Sequence, residues 1–150
     1  MKKAWALLVV LAAAALPAVA QSNQLLDQVL DNPRLSYGQA AYLVLTAAQK
    51  LPDTASPMQA AETLGAQGWK VRPRGADDPV SLGEYSFLLM QAFSLKGGLF
   101  YRLFPGPRYA ARELAYWRLI RGDGSPYRML NGEEALGVLQ RLLDWKEGRS

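Results

Sequence analysis

The stretch Pro79–Met90, PVSLGEYSFLLM, decides the fold. Ser81 and Glu84 stand in an S-x-x-E spacing directly ahead of an apolar run. In that spacing the serine oxygen accepts an orphan N–H of the first helical turn. The glutamate reaches back to the N–H of the cap residue. The spacing therefore predicts a helix that starts after Ser81. Two other stretches have the same form: RLSYGQAAYLVL (Arg34–Leu45), with Ser36 and Gln39, and MLNGEEALGVLQ (Met129–Gln140), with Asn131 and Glu134. Loss of such a cap typically costs about 1 kcal/mol.

The helix starts belong to a longer self-similarity. SPMQAAETLGAQGW (Ser56–Trp69) lies over GPRYAARELAYWRL (Gly106–Leu119) at an offset of 50. That offset pairs Pro57 with Pro107, Ala60 with Ala110, Ala61 with Ala111 and Leu64 with Leu114. It also carries Ser81 onto Asn131 and Glu84 onto Glu134. Ser36 precedes Ser81 by 45 residues, and Gln39 then matches Glu84. Pro57 and Pro107 suit the first helical position, where the missing N–H costs nothing. Alanines at Ala60 and Ala61 permit close helix approach, and Gly-rich connectors end each first helix. The expected fold is all-α. Two complete helix–loop–helix repeats (56–94 and 107–145) and one truncated repeat (23–51) should pack as a single domain, because one unit cannot bury its apolar face alone.

Composition narrows the function. MKKAWALLVVLAAAALPAVA (1–20) has two lysines, an apolar core and an A-x-A end, the pattern of a secretory signal peptide. The expected location is outside the cytoplasm, periplasmic or at the cell surface, with residues 21–150 as the exported domain. Membrane contact is expected only through the uncleaved signal peptide. Without Lys2 and Lys3 the chain has 15 basic and 13 acidic residues, a net charge of +2. That is too weak to argue for nucleic acid. There is no cysteine and no histidine. Disulfides, thiol nucleophiles and the commonest general base are thereby removed, and most hydrolase constellations with them. No cofactor or metal is expected. Asp77 and Asp78 lack the D-x-D-x-D-G spacing of a calcium loop.

With these residues in view, the chain resembles S-layer homology (SLH) domains. DPVSLGEYSFLLMQAF is similar to the opening of the family's second helix, P-[VIL]-T-R-A-E-[FAL], through Pro79, Val80, Ser81, Glu84 and Tyr85. LIRGDGSPYRMLNGEEA is similar to the family loop through Gly122, Asp123, Gly124 and Ser125, followed by Asn131 and Glu134. RLSYGQAAYLVL matches the helix start only. The resemblance spans Leu35 to Trp145 and implies a three-lobed helical arrangement. In the family, the arginine of T-R-A-E helps bind pyruvylated cell-wall polysaccharide. The matching positions here are Tyr37, Leu82 and Gly132, none of them basic. The resemblance thus implies the fold more strongly than the glycan binding.

KGGLFYRLFPGPR (Lys96–Arg108) has no counterpart in an ordinary repeat. It interleaves Phe100, Tyr101, Phe104 and the following Tyr109 with Lys96, Arg102 and Arg108. Its glycines and prolines predict a loop. These side chains suit a contact surface for a protein partner or glycan, since Arg forks onto anions and aromatic rings stack on sugars. The competing reading is a connector whose aromatics tuck into the core. Arg72, Arg74, Asp77 and Asp78 read as a solvated turn with local ion pairing. Trp117 and Trp145 read as core or interface.

The function expected from these features is non-enzymatic: an exported cell-envelope scaffold or binding module. Its partner is an envelope protein or cell-wall polysaccharide, and the missing T-R-A-E arginine favours the protein. The alternative is a ligand-binding or chaperone-like protein that clamps an apolar or lipidic molecule with the loop 96–109. A third reading, a carboxylate-based glycan hydrolase, would need Glu84 with Glu113 or Glu134 across a cleft.

Overall fold

Ser36, Ser56 and Ser81 each accept a hydrogen bond from the backbone N–H three residues on, at 3.2 Å. Gln39, Gln59 and Glu84 return the bond to the serine N–H. Three helices start on these reciprocal pairs. The computed structural model describes residues 20–149, all-helical and without strands among them. The helices are α1 (20–30), α2 (Tyr37–Ala47), α3 (Pro57–Ala66), α4 (Leu82–Ala92), α5 (Leu99–Leu103), α6 (Pro107–Tyr116) and α7 (Gly132–Glu147). The predicted signal peptide lies, but for Ala20, outside the described residues. Among the described residues, no helix is long and apolar enough to cross a membrane.

The segments entering α2, α4 and α7 meet in a closed ring of backbone hydrogen bonds. Leu35 N donates to Leu130 O (2.7 Å), Leu130 N to Val80 O (3.3 Å) and Val80 N to Leu35 O (3.0 Å). Just inside the helices, Tyr37 N donates to Asp78 O, Leu82 N to Arg128 O and Gly132 N to Asn32 O. Positions 35, 80 and 130 are separated by 45 and 50 residues, the offsets of the sequence similarity. Each start thus leans on the connector of another, and orphan N–H groups of the first turns are satisfied by it.

Packing couples the helices differently from the sequence units. α3 packs on α2 and α6 on α4, while α4 and α7 also contact α2. In terms of the expected repeats, the first helix of one lies on the second helix of the one before. α1 closes the circle at the start of α7, where Gly132 lies against the backbone of Val29. Close approach recurs at the second helical residue. A Cβ on Gly38 would stand 2.8 Å from Pro57 O, and one on Gly83 would stand 2.8 Å from Pro126 O.

The core is apolar and lies at the junction of α2, α4, α6 and α7. Leu45, Leu82, Leu88, Leu89, Leu114 and Leu142 are fully buried. Tyr85 is also fully enclosed, and its hydroxyl donates to Ala135 O (3.0 Å) in α7. Ser86, a buried polar side chain, donates to Leu82 O (2.7 Å). Trp117 and Trp145 are half-buried and stack on each other at 4.8 Å.

Three expectations need correction. Lys96–Arg108 is not wholly a loop: Leu99–Leu103 forms one helical turn, α5. Tyr101 anchors it, buried edge-on against Phe87 (6.4 Å) and accepting a hydrogen bond from Gln91 Nε2 (3.1 Å). Asn131 caps α7 through Glu134 N (2.8 Å), but Glu134 does not complete the box. Both its carboxylate oxygens take the Arg128 guanidinium instead, and a bidentate charged pair outcompetes one neutral backbone N–H. Finally, Arg74 pairs with Glu84, not with Asp77 or Asp78. Asp78 accepts from Gly75 N (2.8 Å) within its own turn.

Candidate functional site

The connector after α3 runs Lys70-Val71-Arg72-Pro73-Arg74 without regular structure. It borders a cleft of about 410 Å³ whose floor is the start of α4. Ser81, Glu84, Phe87 and Leu88 come from α4 and its cap. Pro107 and Arg108, which open α6, form one side, and Pro126, Tyr127 and Met129 close another. Tyr37, from the start of α2, completes the lining.

Glu84 organises this cleft. Its Oε1 takes Arg74 Nη2 at 2.6 Å, while its Oε2 accepts Ser81 N at 3.0 Å. One carboxylate thereby caps a helix and fixes a guanidinium. Arg74 Nη1 lies 3.4 Å from Pro79 O, and its buried Nε has no hydrogen-bond partner. Lys70, Arg72 and Arg108 are exposed. The lining thus holds four cations and one carboxylate, and that carboxylate is already paired. Arg forks onto carboxylates and phosphates, and tyrosine faces stack on sugar rings. The cleft is chemically suited to an anionic, partly apolar ligand.

Burial raises the pKa of the Tyr37 hydroxyl; the Glu84 carboxylate adds to this and the Arg74 guanidinium opposes it. Burial also raises Tyr85 far above the ordinary tyrosine value. Tyr101 is raised by burial first, then by the Glu113 charge, against the hydrogen bond from Gln91. A raised folded-state value favours the protonated phenol. Its stability is complete below about pH 10 and declines above it, because the unfolded chain then releases protons that the fold retains. Tyr85, whose value is raised furthest, should contribute most to this alkaline loss. In a spectrophotometric titration, these three of the seven tyrosines should ionise late, together with loss of helical circular dichroism.

The residues picked from the sequence divide between several places. Arg108 lines the cleft and also sits over the Tyr109 ring (5.9 Å). Phe100 stacks on Tyr109 (6.0 Å), and Phe104 lies tilted beside it (6.4 Å). Tyr101 belongs to the core. Lys96 and Arg102 border a separate shallow depression beside Tyr101. Phe100 and Phe104 lie outside the lining of the cleft beside α4 and are exposed, so they do not close over an apolar chamber there. Of Glu84, Glu113 and Glu134, only Glu84 lines the cleft. Glu113 lies against Gly98, and Glu134 is held by Arg128. Among the described residues, no group of three or more acidic side chains is gathered for a metal ion.

The sequence reading missed Tyr37, Lys70, Tyr127 and Met129 as site residues and assigned Arg72 and Arg74 to a solvated turn. One signal was present: Lys70, Arg72 and Arg74 alternate, and alternation in an extended chain puts side chains on one side. Comparison of the chain with family models, curated proteins and solved structures found no match.

Proposed function

We propose that the protein is an exported, non-enzymatic envelope module that holds an acidic cell-wall carbohydrate in the cleft between α4 and α6. The observation that carries this reading is the cleft's charge: Lys70, Arg72, Arg74 and Arg108 face one carboxylate, Glu84, already engaged by Arg74. Tyr127, which is exposed, adds ring surface for sugars. The resemblance to SLH modules fits this proposal in an altered form. The positions matching the family arginine, Tyr37, Leu82 and Gly132, are buried. The cations of the cleft come from the connector and the insert instead. This moves the preferred partner from an envelope protein to a glycan. It also speaks against hydrolysis, since Glu84 is committed to a cap and an ion pair.

The test is co-sedimentation of the chain from Gln21 onward with purified sacculi, with and without their acidic secondary polymers. Lys70→Glu/Arg72→Glu is the informative variant, because both side chains are exposed and hold no part of the fold together. Binding should require the polymer and weaken about tenfold or more in the variant, as expected for losing charge-assisted contacts. Polymer-independent sedimentation, or an unchanged variant, would overturn the reading. No sedimentation at all would point to a protein client.

A further inference from the structure

α5 turns its apolar side chains outward. Tyr101 is buried, and around it Leu99 (65 % exposed), Phe100 (56 %), Leu103 (60 %) and Phe104 (63 %) face solvent. Four large apolar side chains within six residues form an unusual patch for a water-facing turn. Its setting is cationic. Between residues 96 and 112 the chain has Lys96, Arg102, Arg108 and Arg112 and no carboxylate. The rest of the chain after residue 20 carries 11 basic and 13 acidic residues, so the net positive charge resides in this segment. Lys96 and Arg102 border one depression beside Tyr101. Glu113, the next acid along the chain, lies against Gly98.

We propose that this turn seats the protein on an anionic lipid bilayer. Leu99, Phe100, Leu103 and Phe104 enter the boundary between headgroups and acyl chains. Lys96, Arg102, Arg108 and Arg112 lie along the phosphates, their aliphatic stems following the apolar patch. The charge complementarity selects an anionic partner, and the size of the patch selects a membrane over a protein. A specific protein interface needs about 800 Å² from each partner, some twenty to thirty residues. Interfacial seating needs only a few inserted side chains and nearby cations, because its strength is the sum of apolar insertion and attraction to anionic lipid. Tyr101 makes the device rigid. Its ring packs on Phe87, and a Cβ on Gly97 would stand 2.7 Å from that ring, so the turn is held close over Tyr101 with its apolar side chains outward. The inference shares only Arg108 with the carbohydrate reading, since Lys96, Phe100, Arg102 and Phe104 lie outside the cleft lining.

The test uses the chain from Gln21 onward, so that the apolar stretch before it does not itself partition into lipid; the described core begins at Val29. Co-sedimentation is measured with phosphatidylcholine vesicles lacking or containing about one-third phosphatidylglycerol. Binding should appear on the anionic vesicles and fall about tenfold or more in Phe100→Ser/Phe104→Ser. It should also fall in Lys96→Ala/Arg102→Ala and with added salt. All four substituted side chains are exposed, so circular dichroism should stay at the wild-type value; the melting temperature should fall only slightly in the serine variant, which gives up the Tyr109 ring contacts. Wild type that ignores anionic vesicles overturns the proposal, as does a serine variant that binds equally well. So does a wild type that is dimeric by light scattering without vesicle binding and becomes monomeric in the serine variant, since a second copy then covers the patch.

Discussion

Gly132→Ala should be the most destabilising single substitution at a glycine of this protein. A Cβ there would fall at bonding distance from the Val29 carbonyl oxygen and 2.5 Å from its carbon. Both groups are backbone, and Val29 is fully buried, so no side chain can swing aside. The same residue donates its N–H to Asn32 O (3.0 Å), which holds the two segments together. Alanine ordinarily favours a helix over glycine by about 1 kcal/mol. The clash must separate α1 from α7, and losses of that kind exceed about 4 kcal/mol. Two comparisons isolate the cause. Gly83→Ala meets Pro126 O at 2.8 Å and Pro107 O at 3.1 Å, which a small shift relieves, at about 1–3 kcal/mol. Gly65→Ala in α3 meets nothing within 4 Å and should gain about 0.5–1 kcal/mol. Urea unfolding of the three variants gives the ranking. Wild-type stability in Gly132→Ala would show that α1 does not dock on α7 as described.

Tyr85→Ala is the second large effect. The ring is wholly enclosed where α4 meets α7, and its hydroxyl reaches Ala135 O across 50 residues of chain. Truncation removes an aromatic side chain and leaves a cavity, at about 3–5 kcal/mol. Tyr85→Phe keeps the ring and drops one hydrogen bond, at about 0.5–1.5 kcal/mol. Fluorescence-monitored denaturation of both variants separates packing from the hydroxyl. Similar losses in the two would mean that the bond, not the ring, joins the helices. The phenylalanine variant should also remove part of the alkaline loss of stability, because the tyrosine whose pKa is raised furthest is then gone.

Much of the fold could be read from short-range chemistry. The S-x-x-E and S-x-x-Q spacings locate the starts of α2 and α4 to the residue, because capping is decided within four positions. Pro57 and Pro107 mark the starts of α3 and α6 for the same local reason. What could not be read depended on reach. Asn131 and Glu134 have the form of a box, yet Arg128 captures the glutamate, and nothing in the spacing ranks a guanidinium above a backbone N–H. Arg74 passes over Asp77 and Asp78 to reach Glu84, because the chain turns at Gly75 and brings the connector back over the start of α4. α5 was hidden by its flanking glycines and prolines, and its outward-facing leucines drew no notice beside the more conspicuous aromatics. The cleft was the least legible feature, since its lining is gathered from α2, α4, α6 and two connectors.

The ring of Leu35, Val80 and Leu130 has a consequence for how the molecule comes apart. In a linear stack of helical repeats, each end has a free face and can fray while the middle survives. Here the last start donates to the second, the second to the first and the first back to the last. No start in the ring is terminal, so none can peel away without costing both neighbours a bond. Leu35 and Leu130 meet across 95 positions of chain, so the ring ties the three helix starts to one another and they should unfold together.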